Sequence, residues 1–116
     1  MSSELKTKWN NLKTKLSVDF SDNEIIDIDS IIFLIGLQEL GQFQKRFNKQ
    51  KKLEVIHIAV CKLLSQYGYY EFDYTDNDGW PHYKLIKNLP NLKAGEQTIL
   101  MKKAIINYFM KSNYIN

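Results

Sequence analysis

The stretch that decides the fold is YGYYEFDYTDNDGWPHY, residues 67–83, in which five of the seven tyrosines surround an acidic turn. Residues 69–74 alternate between two faces, and a period of two residues is typical of a β-strand. The turn Asp76–Gly79 supplies residues that tolerate positive φ, and Pro81 stands at a strand start, where a missing donor does least harm. The pattern predicts a β-hairpin over about 69–87.

Four helices are predicted around the hairpin: one with Leu5, Trp9, Leu12 and Leu16 on a single stripe, and three over about 30–47, 51–67 and 95–111. The β-branched isoleucines of residues 25–35 also suit a strand, but the helical spacing that follows favours a helix. The third helix is apolar on more than one face, so it should be the central buried element, with Gly68 as its left-handed C-cap. We expect a single domain over 1–116, α+β and predominantly α, in the order ααα-ββ-α.

Two local features refine this outline. Ser21–Glu24 has the form of a capping box, from which a short helical turn would start. Gly36 and Gly41 fall inside the second helical pattern, where small residues permit close contact between helices.

Composition places the chain among folded soluble proteins, with 44% apolar and 25% charged residues. The longest apolar run, residues 25–37, is interrupted by aspartates and is too short to span a bilayer. The N-terminus has no apolar secretory core. The only cysteine, Cys61, fits a reducing compartment. These features predict a cytoplasmic protein that does not enter the membrane.

The segment 37–83, above all KLEVIHIAVC at 52–61 and DGWPHY at 78–83, resembles small uncharacterised cytosolic proteins of Bacteroidota. The resemblance covers about half of the chain. It implies a small cytosolic bacterial protein, and it implies no particular activity.

One helical face carries Glu54, His57 and Cys61 at i, i+3 and i+7, and His82 of the hairpin would complete a four-ligand zinc shell. Cys61 with either histidine would also make a nucleophilic pair. The favoured interpretation is a small core thiol beside a partly buried histidine, because no CxxC or HxxxH pair anchors a metal and the neighbours of Cys61 are apolar. The sequence predicts no metal, no cofactor and no enzymatic activity.

The hairpin aromatic residues suggest a binding surface. Strand alternation sends Tyr70, Phe72 and Tyr74 towards the core and leaves others facing water or a partner, and tyrosine and tryptophan dominate interface energetics. The predicted site comprises Tyr69, Asp76, Asp78, Trp80 and Tyr83. Its acidic character suits a basic protein partner and repels nucleic acid. The favoured function is a non-enzymatic protein-binding module, such as an adaptor, regulator or inhibitor.

The alternative is nucleic-acid binding by a basic edge formed by Lys45, Arg46, Lys49, Lys51 and Lys52. The element order matches that of a winged-helix DNA-binding domain, in which the third helix enters the major groove. The apolar third helix and the acidic hairpin weigh against this interpretation. Association with RNA or the ribosome through the same edge is a further alternative.

Overall fold

The computed structural model describes residues 2–22, 24–41 and 46–115. Within these ranges lie four helices and one two-stranded sheet: α1 (Ser3–Phe20), α2 (Ile28–Leu40), α3 (Lys49–Ser65), β1 (Tyr70–Thr75), β2 (Pro81–Leu85) and α4 (Ala94–Lys111). The order confirms the predicted α+β, predominantly α, fold. None of these helices is both long and apolar enough to cross a membrane.

The chain divides into two compact units. Residues 1–28 and 91–116 form the first, and residues 29–90 form the second. The expectation of a single domain over 1–116 stays a prediction.

The first unit pairs α1 with α4. The side chains of Leu12, Leu16 and Ile105 are fully buried, as the helical stripe of α1 predicts. After α4 the chain returns to α1, where Lys15 Nζ donates to the Tyr114 carbonyl oxygen at 2.5 Å. The end of the described chain is therefore held against α1.

The capping box predicted at Ser21–Glu24 is wrong, because Ser21 ends α1 instead of starting a helix. The Ser21 backbone N–H donates to the Ser17 carbonyl at 3.2 Å. The Ser21 hydroxyl oxygen lies within hydrogen-bond distance of two carbonyl oxygens, those of Ser17 at 3.0 Å and Glu24 at 2.5 Å. Residues 24–27 form no helix, and Asn23 lies outside the described residues.

The second unit begins with α2, which is a helix as favoured but ends at Leu40, not Phe47. Gly41 adopts φ +75°, and its N–H closes the last turn on Leu37 at 2.8 Å. Its positive φ ends the helix, so its predicted role in helix contact is wrong. Residues 42–45 lie outside the described residues.

Gly36 does make the predicted close contact. A Cβ at this position would lie 2.6 Å from Val55 Cγ1 and would also meet the Val55 carbonyl oxygen. Only glycine therefore allows α2 to approach α3 this closely.

Helix α3 starts at its N-cap Asn48, whose side-chain oxygen accepts from the Lys51 N–H at 2.8 Å. Its fully buried side chains are those of Val55, Ala59, Cys61 and Leu63. Leu53 is exposed, so the buried surface of α3 begins only after its first turn. Gly68 has φ +80°, which confirms the left-handed residue predicted after this helix.

The hairpin pairs β1 with β2 in antiparallel register, and α3 packs against both strands. Phe72 lies opposite Tyr83, but the next pair is Tyr74 with His82, so the register shifts by one residue. Because residues paired across strands share a face and neighbours along a strand do not, the shift sends Tyr74 to the face opposite Phe72. The prediction that Tyr70, Phe72 and Tyr74 share one face is wrong for Tyr74.

Candidate functional site

Asp76 organises the hairpin turn. Its Oδ1 accepts hydrogen bonds from the backbone N–H of Asp78 at 2.9 Å and of Trp80 at 3.0 Å. Its Oδ2 lies 2.8 Å from His82 Nε2. The hydrogen bond with His82, followed by that from Trp80, lowers the pKa of Asp76 below its ordinary value. The carboxylate therefore fixes the turn in its ionised form.

One face of the hairpin carries the Tyr74 and His82 rings, which stack with centroids 4.5 Å apart and planes within 3° of parallel. Both side chains are exposed. The other cross-strand pair on this face, Glu71 with Lys84, is exposed as well. This face is polar and aromatic.

The other face carries Tyr70, Phe72, Tyr83 and Leu85. Phe72 and Tyr83 meet edge to face at 5.9 Å between centroids. Tyr83 is half-buried, and burial, with smaller contributions from Glu39 and Cys61, raises its pKa to about 12. Phe72 and Leu85 remain 52% exposed each. On this face Tyr83 is partly enclosed, whereas the apolar side chains of Phe72 and Leu85 are open to solvent.

A cleft of about 480 Å³ separates the first turns of α3 from the hairpin turn. From α3 it is lined by Lys51, Glu54 and His57, and from the hairpin by Asp76, Asp78, Trp80, His82 and Tyr83, among others. Three carboxylates thus stand against one ammonium group. The cleft is acidic, with aromatic and imidazole rings in its walls.

Lys51 reaches into this cleft from α3. Its Nζ lies 3.2 Å from Glu54 Oε2 and 4.9 Å from the centroid of the Trp80 ring. Phe47 contacts the Trp80 ring edge to face at 6.3 Å. Trp80 is accordingly half-buried, with an ammonium group over its ring.

The cleft brings together four of the five predicted partner-binding residues: Asp76, Asp78, Trp80 and Tyr83. Tyr69 is not among them, and its ring lies under Lys87 Nζ at 4.5 Å. The role of all five residues in partner binding stays a prediction.

The exposure pattern reverses the expected one. Tyr69, Trp80 and Tyr83 are half-buried, whereas Phe72 and Tyr74, predicted to face the core, are each 52% exposed. Sequence reasoning missed Tyr74 as a surface residue because strict alternation does not include the register shift. Phe72 keeps the face predicted for the core and is nevertheless exposed.

The predicted basic edge is partly dispersed. Arg46, Lys49 and Lys52 are exposed, Lys51 is engaged in the cleft, and Lys45 lies outside the described residues. After His57, every residue of α3 is buried or half-buried. A recognition helix would need its exposed polar face to extend further.

The thiol of Cys61 lies 3.4 Å from His57 Nε2. Burial raises the pKa of Cys61 to about 11, which opposes formation of the thiolate that a nucleophile or a metal ligand requires. His82 bonds to Asp76 instead of joining this pair. In the described part of the chain, no group of three or more histidine, cysteine, aspartate or glutamate side chains is placed to hold a metal ion.

No family model, curated protein or solved structure matches this chain. The resemblance of residues 37–83 to small cytosolic proteins of Bacteroidota therefore stays a prediction.

Proposed function

We propose that the protein is a non-enzymatic protein-binding module that uses its hairpin as the contact surface, acting in the cytoplasm as an adaptor, regulator or inhibitor. The supporting observation is the exposure of Phe72 and Leu85, each 52% open on one face of a hairpin only five to six residues long per strand. Tyr74, on the opposite face, is 52% open as well. Large exposed apolar side chains gathered on one element are typical of interaction sites. Aromatic side chains also supply most of the energy of protein interfaces.

The charges around this surface favour a basic partner. Glu71, Asp73 and Asp78 are exposed on the same hairpin. Such complementary charge steers association and disfavours acidic partners, including nucleic acids. The hairpin surface is therefore suited to a protein with apolar and basic groups side by side.

Nucleic-acid binding by Arg46, Lys49 and Lys52 is the alternative function, and it carries its own signature. Affinity for duplex DNA or RNA would fall steeply with salt concentration, and glutamine substitutions at these positions would flatten the slope. We expect no micromolar binding even at low salt.

Affinity capture from native cells, after nuclease treatment, tests the proposal. The double variant Phe72→Ala with Leu85→Ala should lose the captured partner. Phe20→Ala is the matched control, because Phe20 is 54% exposed and, like Phe72, contacts one tyrosine ring. Partner capture that survives the hairpin double variant, or that disappears with nuclease, would contradict the proposal.

A further inference from the structure

The geometry points to a basic side chain, arginine above all, as the group that a partner inserts into the cleft between α3 and the hairpin turn. This inference rests on the proposed function and names the chemistry of the partner segment. The supporting observation is that the ammonium group of Lys51 already occupies the position that the partner's cation would take.

Lys51 shows how the cleft holds a cation. Its ammonium group is bound at once by the Glu54 carboxylate, at 3.2 Å, and by the Trp80 ring, 4.9 Å from its centroid. A carboxylate and an aromatic face together are the two groups that recognise a cationic side chain. The Lys51 side chain is still 50% exposed, so it can swing into solvent at little cost when another cation takes its position.

The remaining lining explains why a second cation is favoured over Lys51 alone. Asp76, which is bonded to His82, and Asp78 also line the cleft, so three carboxylates, with Glu54, face the one ammonium group of Lys51. Arginine suits the site better than lysine, because its planar guanidinium stacks on an aromatic ring and bonds a carboxylate through two N–H groups. The cleft volume of about 480 Å³ leaves room for one arginine side chain and for the residues next to it in the partner segment.

If the partner's cation displaces Lys51, removing the Lys51 charge should raise the affinity for a basic peptide. Lys51→Gln removes the internal competitor, so a basic peptide should bind more tightly. Lys52→Gln is the matched control, since Lys52 is the adjacent exposed lysine and does not line the cleft. Both variants lose one positive charge, so both change the long-range electrostatic attraction of the peptide equally. The difference between their peptide affinities therefore reports the position that Lys51 vacates in the cleft.

The test is an NMR titration with a hexa-arginine peptide, using hexa-citrulline as the uncharged probe of the same shape. The Trp80 indole N–H signal reports the cleft, and Trp9, the other tryptophan, lies in the first unit and serves as the internal reference. We expect a saturable shift of the Trp80 signal with hexa-arginine only. The affinity should rise at least about threefold more for Lys51→Gln than for Lys52→Gln.

Asp78→Asn should weaken hexa-arginine binding at least about threefold, whereas Asp73→Asn, on the same hairpin but outside the cleft lining, should change it less than about twofold. Absence of a saturable Trp80 shift, or equal effects of Lys51→Gln and Lys52→Gln, would overturn the inference. If capture still depends on Phe72 in that case, the proposed function stands without a basic segment. If capture ignores Phe72, the proposed function itself fails.

Discussion

The Asp76 carboxylate and the His82 imidazole lie 2.8 Å apart and close the hairpin turn from its two sides. The same carboxylate accepts the N–H groups of Asp78 and Trp80. The Asp76 side chain thus connects the turn backbone to His82 at the start of β2.

Removing this carboxylate should loosen the turn. We expect Asp76→Ala to lower the melting temperature and to broaden the Trp80 and His82 NMR signals, because three hydrogen bonds are lost together. The exposed Asp73 on the same hairpin is the control, and Asp73→Ala should leave both observables unchanged. Equal behaviour of the two variants would show that Asp76 does not organise the turn.

The pH dependence of stability follows from the lowered pKa of Asp76. Because the folded-state pKa lies below the ordinary value of 3.8, the stabilisation is fully present above that value. It is lost as the pH falls through the lower folded-state pKa. Urea midpoints measured from about pH 6 to about pH 2 should therefore fall more steeply for the native protein than for Asp76→Asn. Parallel curves would contradict the assignment.

The contact between Gly36 and Val55 makes a stability prediction. Gly36→Ala should destabilise the protein by about 1–3 kcal/mol, since the added methyl group would overlap Val55. Gly95→Ala is the matched control in α4, where a Cβ meets nothing within 4 Å. This control should keep or raise the free energy of unfolding, because alanine is the better helix former. A neutral Gly36→Ala would mean that α2 and α3 do not approach this closely.

The state of Cys61 can be measured by alkylation. Its side chain is fully buried, and burial raises the pKa of its thiol to about 11. We expect iodoacetamide to react slowly with the native protein at pH 8 and rapidly after unfolding, because the thiolate is the reactive form. Fast reaction of native Cys61 would reopen the possibility of a nucleophilic pair with His57.

Much of the fold was predictable because its signals are local. Periodicity predicts the four helices found in the described part of the chain. Residues that tolerate positive φ mark the turn that ends at Gly79 and the left-handed Gly68. The role of Gly41 was not predictable, because a helix-ending glycine and a helix-contact glycine look alike in a periodic pattern. The close helix contact predicted at Gly36 rests only on the absence of a side chain in glycine. The identity of its neighbour, Val55 of α3, depends on how the two helices pack.

The site was less predictable than the fold. Asp76, Asp78, Trp80 and Tyr83 line one cleft because they are close in sequence around one turn, and their role in binding stays a prediction. The contribution of Lys51 was missed, since it depends on how α3 meets the hairpin. Sequence proximity to Lys49 and Lys52 assigns Lys51 to the basic edge instead.

The central claim, that the hairpin is the contact surface for a protein partner, is tested most directly by site-specific photo-cross-linking in native cells. Phe72 is replaced by p-benzoylphenylalanine in one version of the protein and Phe20 in another, because both rings are about half exposed. We predict a discrete, nuclease-resistant cross-linked protein from position 72 and none from position 20. Cross-linking of the same product from both positions, or from position 20 alone, would contradict the account.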